Sequence, residues 1–120
     1  MAPESILLAA AAVLGTKTVE ESTKHAVADL WSALKAAIKS RRGANSSEMQ
    51  VLADVEQLPA DQSPSPALAT RVSALRLADD PEVAALLLRV ESLLAQRAPE
   101  VIENKRYIFK DNTFHKTTFN

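Results

Sequence analysis

The chain has 120 residues, of which 47% are hydrophobic and 24% are charged, so it is long enough for one globular domain and too apolar for general disorder. Fourteen basic and fifteen acidic side chains leave a net charge of −1, which gives no overall attraction to nucleic acid or to anionic lipid. Because there is no cysteine, disulfides, thiolate metal sites and cysteine nucleophiles are excluded.

The first predicted element is a helix that begins near Pro3 and ends at Gly15. Proline is favoured in the first turn of a helix, and Glu4 suits the positive end of its dipole. Residues 6–14 are all apolar, which is typical of helices buried in protein or in lipid. Because spanning a bilayer takes about 20 residues, we expect either a central core helix or a helix that enters a membrane in some state. The side chains assigned to this membrane helix are Ile6, Leu7, Leu8, Val13 and Leu14.

A second helix is predicted from a capping box of Thr18 and Glu21 to an end near Arg42 and Gly43. Its last turns are strongly basic, and cations at this end offset the negative pole of the helix dipole. The same cluster could instead bind phosphate or lipid headgroups, for which about four basic side chains are the minimum. This basic patch consists of Lys35, Lys39, Arg41 and Arg42.

Three further helices are predicted by capping and proline signals. Asn45 with Glu48 forms a capping pair for a third helix, which should end before Pro59. Ser65-Pro66 and Asp80-Pro81 each have the order of cap and proline that opens a helix. Five helices with short connections predict an all-α fold, a compact four- to five-helix bundle over residues 1–100 with a short β-prone tail over residues 101–120. The apolar stripes place in one core Leu30, Leu34, Val72, Leu86, Leu87 and Val90.

The sequence contains no pattern of catalytic or metal-binding residues. Its two histidines, His25 and His115, are far apart, and a helical metal site would need a second histidine near the first. His25 lies one turn from Glu21 and Asp29, which favours ion pairing on the surface of a helix. Two glycines are too few for a phosphate-binding loop. We therefore expect no enzyme activity, no catalytic residues, no metal and no cofactor.

The tail has a different composition from the rest of the chain. Four of the five aromatic residues lie in its last fourteen positions, with threonines beside them, which is typical of β-strands. Alternation predicts a hairpin or arch with a turn at Asp111-Asn112. Because two strands are marginal in water, the tail should pack on the bundle, add to a partner's sheet or stack with copies of itself; otherwise it is disordered. Its composition favours cross-β stacking, and its basic side chains oppose it. The residues assigned to assembly are Tyr107, Phe109, Asn112, Phe114 and Phe119.

This layout resembles the Bell-type helical defence and signalling domains of bacteria, which are analogues of the fungal HeLo domains that precede amyloid signalling motifs. The resemblance lies in the apolar first helix at residues 6–14, the Asp-Asp-Pro-Glu helix start at residues 79–82, and the asparagine- and phenylalanine-bearing segment at residues 112–120. It implies a domain of antiviral defence that assembles into amyloid-like filaments through its tail. It further implies that the assembled domain exposes its first helix to a membrane and kills the cell or signals infection.

The sequence and the resemblance together predict two alternative functions of different classes. The first is a non-enzymatic effector or adaptor that oligomerises through its tail and acts on a membrane through its first helix. The second is a soluble interaction module whose tail adds a strand to a partner protein. The first function requires self-association into an oligomer or filament and an anionic membrane, and neither function involves nucleic acid. We expect a cytoplasmic protein that becomes membrane-associated after assembly.

Overall fold

The computed structural model of the chain describes residues 2–17, 19–59 and 62–103, and within these ranges the fold is all-α with no strand. The five predicted helices follow one another in order, with a 3-10 turn at Leu77–Asp79 before the last of them. The helices are α1 (Pro3–Gly15), α2 (Glu21–Arg42), α3 (Ser47–Gln57), α4 (Pro66–Ser73) and α5 (Pro81–Arg97). The predicted all-α fold class is therefore confirmed.

Side-chain caps begin three of the helices. The Ser46 hydroxyl accepts a hydrogen bond from the N–H of the third residue of α3 at 3.3 Å, and the Ser65 hydroxyl accepts the matching bond in α4 at 3.2 Å. The Asp80 carboxylate accepts two backbone N–H groups at the start of α5. These bonds satisfy donors that the first turn of a helix leaves free. The caps predicted at Ser65 and Asp80 are confirmed, whereas Asn45 lies one residue too early to reach the first turn of α3, which Ser46 caps instead.

The predicted start of α2 is too early. α2 begins at Glu21, and Glu20 occupies the N-cap position without a side-chain capping bond. The predicted cap, Thr18, lies outside the described residues. The chain has to reverse between α1 and α2 so that the two helices can pack side by side, and Val19 is buried at this reversal. A helix that started directly after residue 18 would leave too few residues for the reversal.

The predicted end of α2 is confirmed. The helix ends at Arg42, and Gly43 follows it with φ of 95° and ψ of 151°. This conformation is readily adopted by glycine and is strained in residues with a side chain. Gly43 therefore allows the sharp turn that separates α2 from α3.

α1 lies against most of the other elements. It contacts α2, α3, α5 and the 3-10 turn, and α2 packs most extensively against α5. Four of the predicted core residues are at most 2% exposed, namely Leu34, Val72, Leu87 and Val90.

The other two predicted core residues, Leu30 and Leu86, are only partly buried at the edge of the same core. Each of them directly precedes a buried residue, Trp31 in α2 and Leu87 in α5. Successive residues of an α-helix point about 100° apart, so both members of such a pair cannot face the centre of the core.

The predicted tail begins within helical structure. Residues 99–103 form a further helical segment after α5, separated from it by Ala98, which is fully buried. Val101 and Ile102, whose side chains favour strands, are helical and pack against the core. The chain therefore stays helical through residue 103, and the rest of the predicted β-prone tail, residues 104–120, lies outside the described part of the chain.

Candidate functional site

The residues assigned to a membrane helix lie in the core of the bundle. Ile6, Leu7, Leu8 and Val13 are at most 3% exposed, and Leu14 is half-buried at the end of α1. In this structure α1 is therefore a central core helix, which is one of the two roles predicted for it. In this state the apolar side chains of α1 are covered by the neighbouring helices.

α1 is also held differently from its neighbours. Ion pairs connect α2 with α3, α3 with α4, and α2 with the residue that caps α5: Lys35–Glu56 at 3.0 Å, Arg71–Asp54 at 2.7 Å and Arg41–Asp80 at 3.0 Å. α1 contains one ionisable side chain, Glu4, and no ion pair between described residues involves it. The N-cap residue, Ala2, makes no side-chain capping bond. Among the described residues, α1 is therefore held by apolar packing, whereas α2 to α5 are also connected by ion pairs.

Two buried polar groups lie on α1 and on its neighbour α2. The Ser5 hydroxyl and the Trp31 indole N–H are buried, and neither has a hydrogen-bond partner within residues 2–17, 19–59 and 62–103. Sequence reasoning singled out neither residue. The signals were a serine directly before the apolar run of α1, and the only tryptophan of the chain placed on the apolar face of α2.

The basic patch is partly neutralised. Lys35 pairs with Glu56, and the Arg41 guanidinium lies 3.0 Å from Asp80 Oδ2 and 3.6 Å from a Glu82 carboxylate oxygen. Lys39 and Arg42 are exposed, and neither has an ion-pair partner among the residues that the structure describes. Among the described residues, two of the four predicted side chains thus lack an acidic partner.

A small cleft borders this end of α2. Its walls come from α2, from the start of α3, and from the segment between α4 and the start of α5, which includes the 3-10 turn. They are formed by Ile38, Arg41, Arg42, Glu48, Leu75, Leu77, Asp80 and Val83. The apolar members are buried side chains of the core, and the charged members include the Arg41–Asp80 pair. The cleft thus belongs to the junction of α2 with α5.

The titratable side chains form no catalytic constellation in the described ranges. His25 Nε2 lies 3.9 Å from Glu21 Oε2, with both side chains 81% exposed, as expected for a surface pair. Asp80 acts as a helix cap and ion-pair partner. No cluster of three or more histidine and acidic side chains there could hold a metal ion.

None of the described helices is both long enough and apolar enough to cross a membrane. The tail residues assigned to assembly, which are Tyr107, Phe109, Asn112, Phe114 and Phe119, lie outside the described part of the chain.

A comparison with known families shows to which family the chain belongs. The family model for HetE-N, the Het-E N-terminal domain, matches residues 3–120. The chain therefore belongs to the HetE-N family, a HeLo- and Bell-like family of fungal domains that is associated with heterokaryon incompatibility and cell-death signalling. The resemblance to helical domains of defence and signalling is confirmed at this level. No curated protein and no solved structure matches the chain significantly.

Proposed function

We propose that this HetE-N domain is a non-enzymatic effector or adaptor of cell-death signalling, in which assembly through the tail leads to release of α1 into an anionic membrane. The observation that carries the proposal is the state of α1. It is apolar on every side, it is enclosed by the other helices, and no ion pair among the described residues holds it there. Membership of a family associated with cell-death signalling supports the same function.

Because α1 is buried, its release into water would cost about as much free energy as the folding of a whole domain provides. Burial of an aliphatic side chain is worth about 1.5 to 3 kcal/mol, so the four large side chains Ile6, Leu7, Leu8 and Val13 contribute about 6 to 12 kcal/mol. A whole domain is stable by about 5 to 15 kcal/mol. Release therefore requires a second apolar environment, and the hydrocarbon core of a membrane provides one.

The length of α1 explains why assembly should come first. Its 13 residues measure about 20 Å, against about 30 Å for the hydrocarbon core of a bilayer. One copy would leave the polar ends of its backbone in hydrocarbon, where each unsatisfied group costs several kcal/mol. Several copies brought together can satisfy these groups among themselves or in a locally thinned bilayer.

Two further features support the proposal. The exposed Lys39 and Arg42 could contact anionic headgroups, each being worth about 1 kcal/mol near such a surface, whereas Lys35 and Arg41 already have acidic partners. The family match continues to residue 120, so the tail belongs to the matched region. In this proposal the tail forms the homo-oligomer or filament, and the protein is cytoplasmic before assembly and membrane-associated after it.

Dye release from vesicles tests the proposal. We expect the assembled protein to release dye from vesicles that contain an anionic lipid, and the monomer to leave them intact. Trp31 is the only tryptophan of the chain and is buried on α2, a helix that packs against α1, so its emission should change when the packing of α1 on α2 is lost. A shift of emission that accompanies dye release would connect leakage with α1.

A matched pair of variants identifies the helix responsible. Ala11 is half-buried on α1 and Ala33 is exposed on α2, so Ala11→Lys and Ala33→Lys add the same charge to the protein. A lysine at the centre of a membrane helix costs about 2.5 to 3.5 kcal/mol, so Ala11→Lys should suppress dye release and Ala33→Lys should not. If no assembled form releases dye, the membrane function is wrong, and the soluble interaction module that adds a strand to a partner becomes the better proposal.

A further inference from the structure

Two buried polar groups, one on α1 and one on its neighbour α2, have no hydrogen-bond partner among the residues that the structure describes. They are the Ser5 hydroxyl and the Trp31 indole N–H, and both residues are at most 4% exposed. α1 ends at residue 15 and α2 begins at residue 21, so each group lies about 15 Å along its helix from the connection. The connection is short and the two helices pack together, so an antiparallel arrangement would bring Ser5 and Trp31 to a similar level of the helix pair.

We propose that Ser5 and Trp31 form a polar fault in the contact between α1 and α2, and that this fault sets how readily α1 separates from the bundle. The role of the fault in membrane action rests on the function proposed above. Its effect on the separation of α1 is independent of that function and can be measured on the monomer.

The physical reason is the loss of hydrogen bonds on burial. A donor or acceptor that is buried without a partner loses the bond that it makes to water in the separated state. Alanine would avoid this loss, and α1 uses buried alanines at Ala9, Ala10 and Ala12. A serine at position 5 therefore weakens the closed state at a place where the sequence elsewhere has a small apolar residue.

Separation of α1 allows both groups to form hydrogen bonds again. When α1 leaves, the Ser5 hydroxyl and the Trp31 N–H both return to polar surroundings, and tryptophan is favoured at the interface between membrane and water. The ion pairs that connect α2 to α5 are not broken by this movement, because none of them involves α1. The fault thus favours separation of α1 alone over opening of the whole bundle.

Backbone amide hydrogen exchange of the full-length monomer tests the fault through the variant Ser5→Ala. Ser92→Ala is the matched control, because Ser92 is exposed on α5 and its replacement brings the same gain in helix propensity without removing a buried hydroxyl. We expect the amides of α1 to exchange roughly 5- to 30-fold more slowly in Ser5→Ala than in the wild type, and at an unchanged rate in Ser92→Ala. In the wild type they should exchange faster than the buried amides of α5.

Two outcomes would contradict the proposed role of Ser5 and Trp31. One is unchanged exchange of α1 in Ser5→Ala, and the other is exchange of α1 and α5 at one common rate in the wild type, which would mean that α1 has no separate opening.

Dye release from vesicles of phosphatidylglycerol and phosphatidylcholine then separates the fault from the proposed function. Delayed release by assembled Ser5→Ala, with slowed exchange, supports a role of the fault in membrane action. Slowed exchange with undelayed release refutes that role. Slowed exchange in a protein whose wild type never releases dye leaves the fault standing and refutes the proposed function instead.

Discussion

Leu87 and Leu88 offer a direct test of how α5 faces the core, because they are adjacent and differ almost completely in exposure. Leu87 is 2% exposed and Leu88 is 60% exposed. Replacement of a buried leucine by alanine removes apolar contacts and leaves a cavity, which costs about 2 to 5 kcal/mol. The same replacement at an exposed site away from special features changes stability by about 0.5 kcal/mol or less.

Urea denaturation followed by circular dichroism measures both variants. For an m value of about 1.5 kcal/mol per molar urea, Leu87→Ala should lower the midpoint by about 1.3 to 3.3 M, and Leu88→Ala should shift it by about 0.3 M or less. The two variants have the same chemical change, helix and composition, so their difference reports burial alone. Equal midpoints, or a larger loss in Leu88→Ala, would show that α5 is rotated relative to the arrangement described above.

Three other perturbations have defined outcomes. Gly43→Ala should lower the free energy of unfolding by about 1 to 3 kcal/mol through backbone strain. A steric clash does not contribute, because no atom lies within 4 Å of the added methyl group. A chemical-denaturation curve measures this loss, and an unchanged midpoint would contradict the positive φ of Gly43. Asp80→Ala removes the cap of α5 and should cost about 0.5 to 2 kcal/mol. Asp80→Asn keeps a capping oxygen and loses the charge that pairs with the half-exposed Arg41, for which we expect about 1 kcal/mol or less. Thermal unfolding should therefore show a larger loss of stability in Asp80→Ala than in Asp80→Asn. Phe114→Asp should abolish assembly in sedimentation experiments and leave the helical circular dichroism intact, because aromatic burial supplies much of the apolar contact between stacked chains; assembly equal to that of the wild type would exclude stacking through this residue.

The start of most helices could be predicted from the sequence because the signals are local. Pro3, Ser65 and Asp80 mark helix starts through backbone geometry and hydrogen bonds within a single turn, and the structure agrees at all three positions. Gly43 marks the end of α2 in the same way. These signals need no knowledge of what the helix packs against.

Other features depend on residues that are distant in sequence. The apolar run of α1 predicted burial in protein or in lipid, and the contacts with α2, α3 and α5 show that in this structure it is buried in protein. The basic patch looked uniform because the acidic partners of Lys35 and Arg41 lie on α3 and α5. The burial of Ser5 and Trp31 without a partner in the described part of the chain likewise depends on packing that no local pattern encodes.

The position of α1 in the chain has a consequence during protein synthesis. α1 is made before the helices that cover it, and one of these, α5, ends only at residue 97. At about 5 to 20 residues per second, the ribosome needs about 4 to 16 s to make the residues between the ends of these two helices. For that time the nascent chain presents an apolar helix whose cover is incomplete. Chaperones and membrane surfaces that bind such a helix therefore compete with folding during translation, before the folded domain exists and can assemble.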